Sequence, residues 1–598
     1  MTATQTPPPT RPPRGPVPKP RLSRMPRKPS SFDTLTLVLA FTLIAIVCLP
    51  LLQVVIGMVW KDGEFTFEAI ERTLALPDLW TLIWNTLVLV IASSVCAVVI
   101  GFLLAWVNQR TDARWGLLND ILPYLPFLLP PVAGAVGWIM LLSPTSGLLN
   151  VWIRDALSLF GVDLATGPFD IHTWYGLILV YTVYAVPYTY LNISAALESF
   201  DSSLEEASRL SGAGYLRTLR RVTLPALAPS VGAGFLLSTW FGFGMFSIAA
   251  IIGTPAQIDV IAVRIVNLLT FSYPPDEDLA IGLSAIVMVF VGLSYYIQFR
   301  ILRSARFGSI SGKSTQHNII RLGPWRPVVR GLVLIYVLGS TVLPMIGLFL
   351  VALNGYWTPN IDWGGLSLDA FRSTLIHDPS AREALFNSLG LGIVGGFIGI
   401  LAASFVSLYV QRRRTALGAG IDAAIKMPAS ISNMVIAVGI LLLLGGDPFN
   451  LGGTWLILLI GYLALYLPQA SIASDAAVAV VGKDLGEAST VSGARDWKTF
   501  LRIYAPLMLP GLIGAWALLF IRIVGDLTAS AILSGTENVV LGFRILEVFN
   551  GGSYAELAAL SSTLVLITGT VLLFVIILSK RFGVAKTQSA PRTRKARR

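Results

Sequence analysis

The sequence predicts an all-α membrane protein of about twelve transmembrane helices, arranged as two parallel six-helix repeats. Three observations carry this. Hydrophobic residues make up 54% of the 598-residue chain and charged residues only 13%, too few to cover a soluble fold of that length. Apolar runs of about 20 residues, the length that crosses a bilayer, recur along the chain. The second half also repeats the first at a nearly constant offset.

Twelve spans are expected. Those of the first half lie near 35–60, 82–107, 121–142, 173–196, 228–252 and 279–302. Those of the second lie near 329–353, 384–410, 423–445, 452–476, 508–533 and 556–579. Backbone in lipid must satisfy its own hydrogen bonds, so long apolar runs become helices. The short alternating segments of a membrane β-barrel are missing. The expected organisation is a disordered basic N-terminal tail (1–34), a first repeat (35–303), a linker (304–328), a second repeat (329–580) and a basic C-terminal tail (581–598). The Pro- and Arg-rich start has no short apolar core with a small-residue cleavage site, so it reads as a tail and not a signal peptide.

Lys and Arg set the expected orientation. The tails, the linker, the even-numbered connections and the span ends adjoining them hold 36 of the 44 basic residues, which puts both termini in the cytoplasm. The net charge of +11 is thereby assigned to topology and anionic lipid, with no nucleic-acid partner. Cys48 and Cys96 lie in apolar runs and imply no disulfide framework. His172, His317 and His377 are scattered, so no metal cage is expected.

The repeat is explicit. Trp84-Asn85-Thr86-Leu87 matches Phe386-Asn387-Ser388-Leu389 at an offset of 302, as do Gln109-Arg110 with Gln411-Arg412, Asp120 with Asp422, Pro126 with Pro428, and Gly137 with Gly439. The offset then falls to 281, matching Tyr181 with Tyr462 and Pro187 with Pro468; the difference is an insertion in the first half around 143–174. An even number of spans per repeat keeps orientation, so the halves are parallel about an axis along the membrane normal. Tyr181, Tyr184, Tyr188 and Tyr190 read as packing and membrane-interface aromatics.

The strongest match lies in the longest internal basic connections. Glu205-Glu206-Ala207-Ser208-Arg209-Leu210-Ser211-Gly212 leads on to Leu224-Pro225, and Gly486-Glu487-Ala488-Ser489-Thr490-Val491-Ser492-Gly493 leads on to Ala505-Pro506. The pattern predicts a short helix, a glycine turn, and a second amphipathic helix that proline stops before the next span. Such a rigid elbow can dock in a groove on a partner. A single copy could be an ordinary inter-span loop, but two copies at one offset, at the same place in each half, argue against coincidence.

These loops resemble the EAA loop of binding-protein-dependent ABC importer permeases. Ser208 and Ser489 replace the second Ala of that pattern, and Ala505-Pro506 stands where the family prefers Leu-Pro. The resemblance covers about 80–580 and implies the type I importer permease fold, with both permease domains fused in one chain. It implies that Glu206, Ala207, Gly212, Pro225, Glu487, Ala488, Gly493 and Pro506 form coupling loops for two copies of an ATPase subunit. It also implies a periplasmic solute-binding protein as partner. Gly312-Lys313-Ser314-Thr315 ends like a phosphate loop, but its glycine spacing is off and no strand precedes it. ATP and Mg would therefore be used on the partner chain. This chain would bind no cofactor and would not itself be an enzyme.

The fused arrangement resembles ferric-iron importer permeases. So do Phe241-Gly242-Phe243-Gly244 with Ile252-Gly253-Thr254-Pro255, and Gly525-Asp526-Leu527-Thr528-Ala529-Ser530, where Asp526 replaces the family's Glu. Thiamine, polyamine and phosphonate or other oxyanion permeases are the alternatives. Arg522 and Asp526 are spaced to share one helical face inside the eleventh span. Two readings stay open for them: pathway or gate residues, or a mutual salt bridge serving packing. From other classes, an ion-gradient-driven secondary transporter would need titratable groups near the midplane, and a membrane scaffold would move nothing.

Overall fold

The computed structural model describes residues 30–61, 63–114, 122–304, 319–413 and 415–581. Most of the expected N-terminal tail, much of the linker with Gly312-Lys313-Ser314-Thr315, and the C-terminal tail beyond Arg581 lie outside those residues. Among the described residues the chain is helical apart from two two-residue strands, Trp60–Lys61 and Glu64–Phe65.

In the first half, α1 (Ser31–Gly57) begins at a capping box. Ser30 Oγ accepts from the Asp33 amide, and the Asp33 carboxylate accepts from the Ser30 amide. Then come α2 (Leu79–Arg110), α3 (Pro131–Leu142), α4 (Trp174–Ser199) and α5 (Ser203–Leu210), followed by α6 (Leu224–Gly244), α7 (Ile261–Val266) and α8 (Glu277–Ser304). In the second half, α9 (Leu343–Asn354) ends a helix that starts at Gly323. After it come α10 (Pro379–Arg413), α11 (Asn433–Leu444), α12 (Trp455–Ala479), α13 (Lys483–Val491), α14 (Ala505–Val524), α15 (Leu541–Gly551) and α16 (Tyr554–Arg581).

Ten of the expected twelve spans are single long apolar helices. The third of each half is broken instead. In the first half a 3-10 turn (Leu122–Leu128) precedes α3 across Pro130, and in the second the helix from Ala416 meets α11 at 102°. Proline removes an amide donor and crowds the preceding turn, and Pro126 and Pro428 each lie in a 3-10 turn shortly before the short apolar helix of their half. The expected fifth and eleventh spans are displaced toward the N-terminus, and run Tyr215–Gly244 and Asp496–Val524.

The halves exchange their first spans. α1 packs on α11 of the second half, and α9 packs on α3 of the first. The contacts are made through the matched glycines. A methyl group on Gly137 would lie 2.6 Å from the Pro344 carbonyl oxygen, and one on Gly439 would be driven into the Pro50 carbonyl. Small residues at such crossings let helix backbones approach closely, which is the main source of packing energy where lipid is as apolar as the side chains. One continuous buried cluster therefore runs through both halves.

Each half also ties a short helix to its second span. Asn85 Nδ2 donates to the Asp259 carbonyl and Asn387 Nδ2 to that of Val539, both at 3.0 Å. Thr86 Oγ1 accepts from the Ile261 amide at 3.0 Å and Ser388 Oγ from the Leu541 amide at 2.8 Å, satisfying the first orphan donors of α7 and α15. Arg264 pairs with Asp78, and Arg544 with Asp378 at 2.9 Å. Burial pushes the Asp378 carboxyl up, but the Ser380 amide and Arg544 outweigh it and hold the carboxyl below its usual range.

Candidate functional site

The two elbows are built alike. α5 and α13 each end in the same turn, with Gly212 at φ 82° and Gly493 at φ 78°. The Ala213 amide returns to the Ser208 carbonyl and the Ala494 amide to the Ser489 carbonyl, both at 3.1 Å. This is a Schellman cap, whose left-handed residue carries almost no penalty only when it is glycine. Ser208 Oγ and Thr218 Oγ1 lie 3.0 Å apart, and Ser489 Oγ and Thr499 Oγ1 lie 2.8 Å apart. The two serines that depart from the EAA pattern thus pin the outgoing and returning arms together. At the start of the first elbow the Ser203 amide holds the Asp201 carboxyl below its ordinary range.

The returning arms do not stop at proline. Pro225 and Pro506 sit in the first turn of α6 and α14, and the helix runs through them. Immediately before each lies one π-helical turn, Leu219–Thr223 and Phe500–Tyr504, in which the Leu224 amide reaches the Leu219 carbonyl and the Ala505 amide that of Phe500. The wider turn relieves the ring clash that would otherwise break the helix. Each elbow is thereby continuous with a membrane-spanning helix.

Glu206, Ala207, Glu487 and Ala488 are exposed on the outgoing arms. The neighbouring Glu205, which the motif does not single out, accepts a 2.7 Å hydrogen bond from Thr223, while its counterpart Gly486 lies under the Tyr504 ring. Around them both elbows expose matched apolar side chains: Leu204 and Leu485 at 51% and 49%, Leu210 and Val491 at 90% each.

The second group of expected residues lies where the halves meet. α14 ends at Val524, so Arg522 and Asp526 do not share a helical face. Gly525 closes the helix against Pro130 of the other half, where a methyl group would lie 2.8 Å from Pro130 Cβ. Arg522 crosses between halves: it donates to the Tyr188 hydroxyl at 3.3 Å and lies 4.8 Å from the Phe127 ring centroid. Tyr188 in turn packs between Phe127, edge-on, and Phe241, tilted, with ring centroids 4.9 and 4.6 Å away. Asp526 is buried in its own half, accepting from Tyr466 at 2.7 Å and from the Ala529 and Ser530 amides, and so caps the turn Ser530–Leu533. Tyr181, Tyr184 and Tyr190 are buried as well, each 2% exposed, and are interior hydrogen-bonding groups, not a belt at the membrane surface. Among the described residues no group of three or more His, Cys, Asp and Glu could hold a metal ion.

The sequence profile of the family described as "Binding-protein-dependent transport system inner membrane component" matches residues 97–306 and again 379–584. The chain belongs to this family. It is a multi-pass inner-membrane permease of an ABC importer, with two permease domains in one chain. The ferric transport system permease protein FbpB of Actinobacillus pleuropneumoniae is 24% identical over 543 residues, which covers 88% of this chain and 75% of that one. The Fe(3+)-transport system permease protein FbpB 2 of Haemophilus influenzae is 23% identical, over 91% and 98% of the two chains. The sulfate permease CysT of Salmonella typhimurium is 28% identical but covers only 45% of this chain. A solved bacterial ABC transporter that imports alginate aligns with 46% of this permease and 95% of its own chain, at 17% identity and a TM-score of 0.36.

Proposed function

We propose that this permease conducts ferric iron handed over by a periplasmic binding protein, and that two copies of one separate ATPase subunit drive it from the cytoplasmic side. The observation that carries the ATPase part is the pair of elbows. Both expose apolar side chains at matching positions, Leu210 and Val491 above all, on connections rich in basic residues where lipid cannot cover them. Their common shape argues for one kind of ATPase used twice. ATP and Mg belong to that partner, and this chain supplies the path. Orientation follows the basic residues, with both termini cytoplasmic. Iron is favoured over sulfate and other oxyanions because the iron permeases match both halves of the chain while the sulfate permease matches one.

The test is ATP hydrolysis by the permease–ATPase complex in lipid nanodiscs, with binding proteins loaded with ferric ion or with thiamine. Stimulation by the iron-loaded protein alone is the expected result. Stimulation by the thiamine-loaded protein alone moves the assignment to thiamine, and uptake that follows an ion gradient without any ATPase overturns the reading altogether.

Arg522 is placed on this reading at the gate between the halves, while Asp526 supports it by fixing the chain just after α14. Arg522→Leu removes the hydrogen bond to Tyr188 and the cation over Phe127. It should change iron flux per ATP several-fold while leaving assembly with the ATPase intact; loss of assembly instead assigns Arg522 to packing.

A further inference from the structure

The two elbows are equal in shape but not in what holds them. The second is gripped by the first turn of α1, a helix that belongs in sequence to the other half. Phe32 is 1% exposed. Its ring lies 5.4 Å from Trp497, 5.7 Å from Phe500 and 5.6 Å from Phe405, so it is enclosed by the returning arm of the elbow and the end of α10. Beside it Asp33 is 6% exposed and pairs with Arg413. Arg412 pairs with Asp496 at the start of the same arm, at 3.2 Å. A buried aromatic seated among three others, next to a two-point ion pair, makes a rigid joint.

The first elbow has no matching aromatic seat among the described residues. The positions matching Trp497, Asp496 and Phe405 are Leu216, Tyr215 and Leu103, which are 60%, 53% and 56% exposed. The chain entering the second half ties itself elsewhere. The Ile320 amide donates to the Arg110 carbonyl, the Leu322 amide to Asp112, and Arg330 Nε to the Ala113 carbonyl, all upstream of α4 and not on the elbow.

We propose that Phe32 and Asp33 are positioning residues that clamp the second elbow to α1, making it the stiffer of two unequal coupling arms. α1 crosses α11 at Pro50 and Gly439, so a push on the second elbow moves a helix seated against the broken span of that half. The consequence for coupling rests on the ATPase-docking reading above; the clamp itself does not.

The test has two arms. In the first, the full chain alone, with Cys48 and Cys96 replaced by serine, carries one spin label at Leu210→Cys or at Val491→Cys in lipid nanodiscs. The label at 491 should be the less mobile of the two. Phe32→Ala should raise its mobility to that at 210 and leave 210 unchanged. Asp33→Arg should do the same, and adding Arg413→Asp should reverse it. Equal mobility at both tips, or a Phe32→Ala effect of the same size at both, overturns the clamp. In the second arm, solute moved per ATP by the reconstituted complex should fall several-fold with Phe32→Ala and recover with Phe32→Tyr; an unchanged ratio overturns the coupling role. An inactive complex with the expected label mobilities would count against the ATPase reading and leave the clamp standing.

Discussion

Gly439→Leu is expected to leave almost no folded, detergent-stable permease. The substitution meets backbone, not a side chain that could turn away: even a methyl group at this position is driven into the Pro50 carbonyl of α1. Overpacking a well-filled core commonly costs about 1–3 kcal/mol, and a clash with fixed backbone lies at the top of that range or beyond. Here the strained contact is also the seam by which α1 crosses to the other half. Gly137→Leu should act in the same way through Pro344, with a somewhat smaller effect because the approach is slightly longer. Gly569→Leu is the control: it lies in α16 with nothing within 4 Å of an added methyl, and should leave stability within about 0.5 kcal/mol. The measurement is the monodisperse fraction and thermal midpoint of the three variants against wild type. Equal behaviour of Gly439→Leu and Gly569→Leu would show that the crossing adjusts, and the exchange of first spans would lose its role in holding the halves together.

The reason for Gly439 could not be read from sequence, although the residue could. Its match to Gly137 marks a paired feature, but Pro50 and Pro344 lie at an offset of 294, outside either register of the repeat. Contact between distant helices leaves no local signal. The same slip hid the salt bridges of Arg264 and Arg544, which correspond at an offset of 280, so only Asn85 and Asn387 with their neighbours stood out. Hydropathy found the broken spans but not the breaks, because averaging over a window counts Pro126 and Pro428 as one residue among twenty. Helical spacing puts Asp526 on the face of Arg522, but the helix closes at Gly525 before Asp526 is reached. The elbows were legible because Glu-Ala and Gly recur at fixed spacing and local turn chemistry determines their shape. What escaped was the continuity through Pro225 and Pro506, since proline ordinarily argues for a stop and the π turn that accommodates it has no sequence signature.

Gly212→Pro and Gly493→Pro together are expected to abolish ATP-driven transport while the transmembrane part stays folded. Both positions require a left-handed backbone, at φ 82° and 78°, whereas proline holds φ near −65°. The Gly212 amide also donates to the Arg209 carbonyl at 3.0 Å, a bond that proline cannot make. The turn that closes the elbow is therefore lost. Leu210 and Val491 no longer sit on a fixed knob, and the pins from Ser208 to Thr218 and Ser489 to Thr499 lose their geometry. Alanine is the graded test: at a left-handed position it costs about 1–2 kcal/mol, which corresponds to about a five- to thirtyfold loss of the correctly shaped elbow. The spans need not follow, because nothing lies within 4 Å of an added methyl at either glycine. ATPase stimulation and solute uptake measured on the same nanodisc preparation should therefore fall in the order wild type, alanine, proline, at an unchanged thermal midpoint. Proline variants that keep full uptake would remove the elbows from the coupling path, and the exposed apolar pair at 210 and 491 would need a different partner.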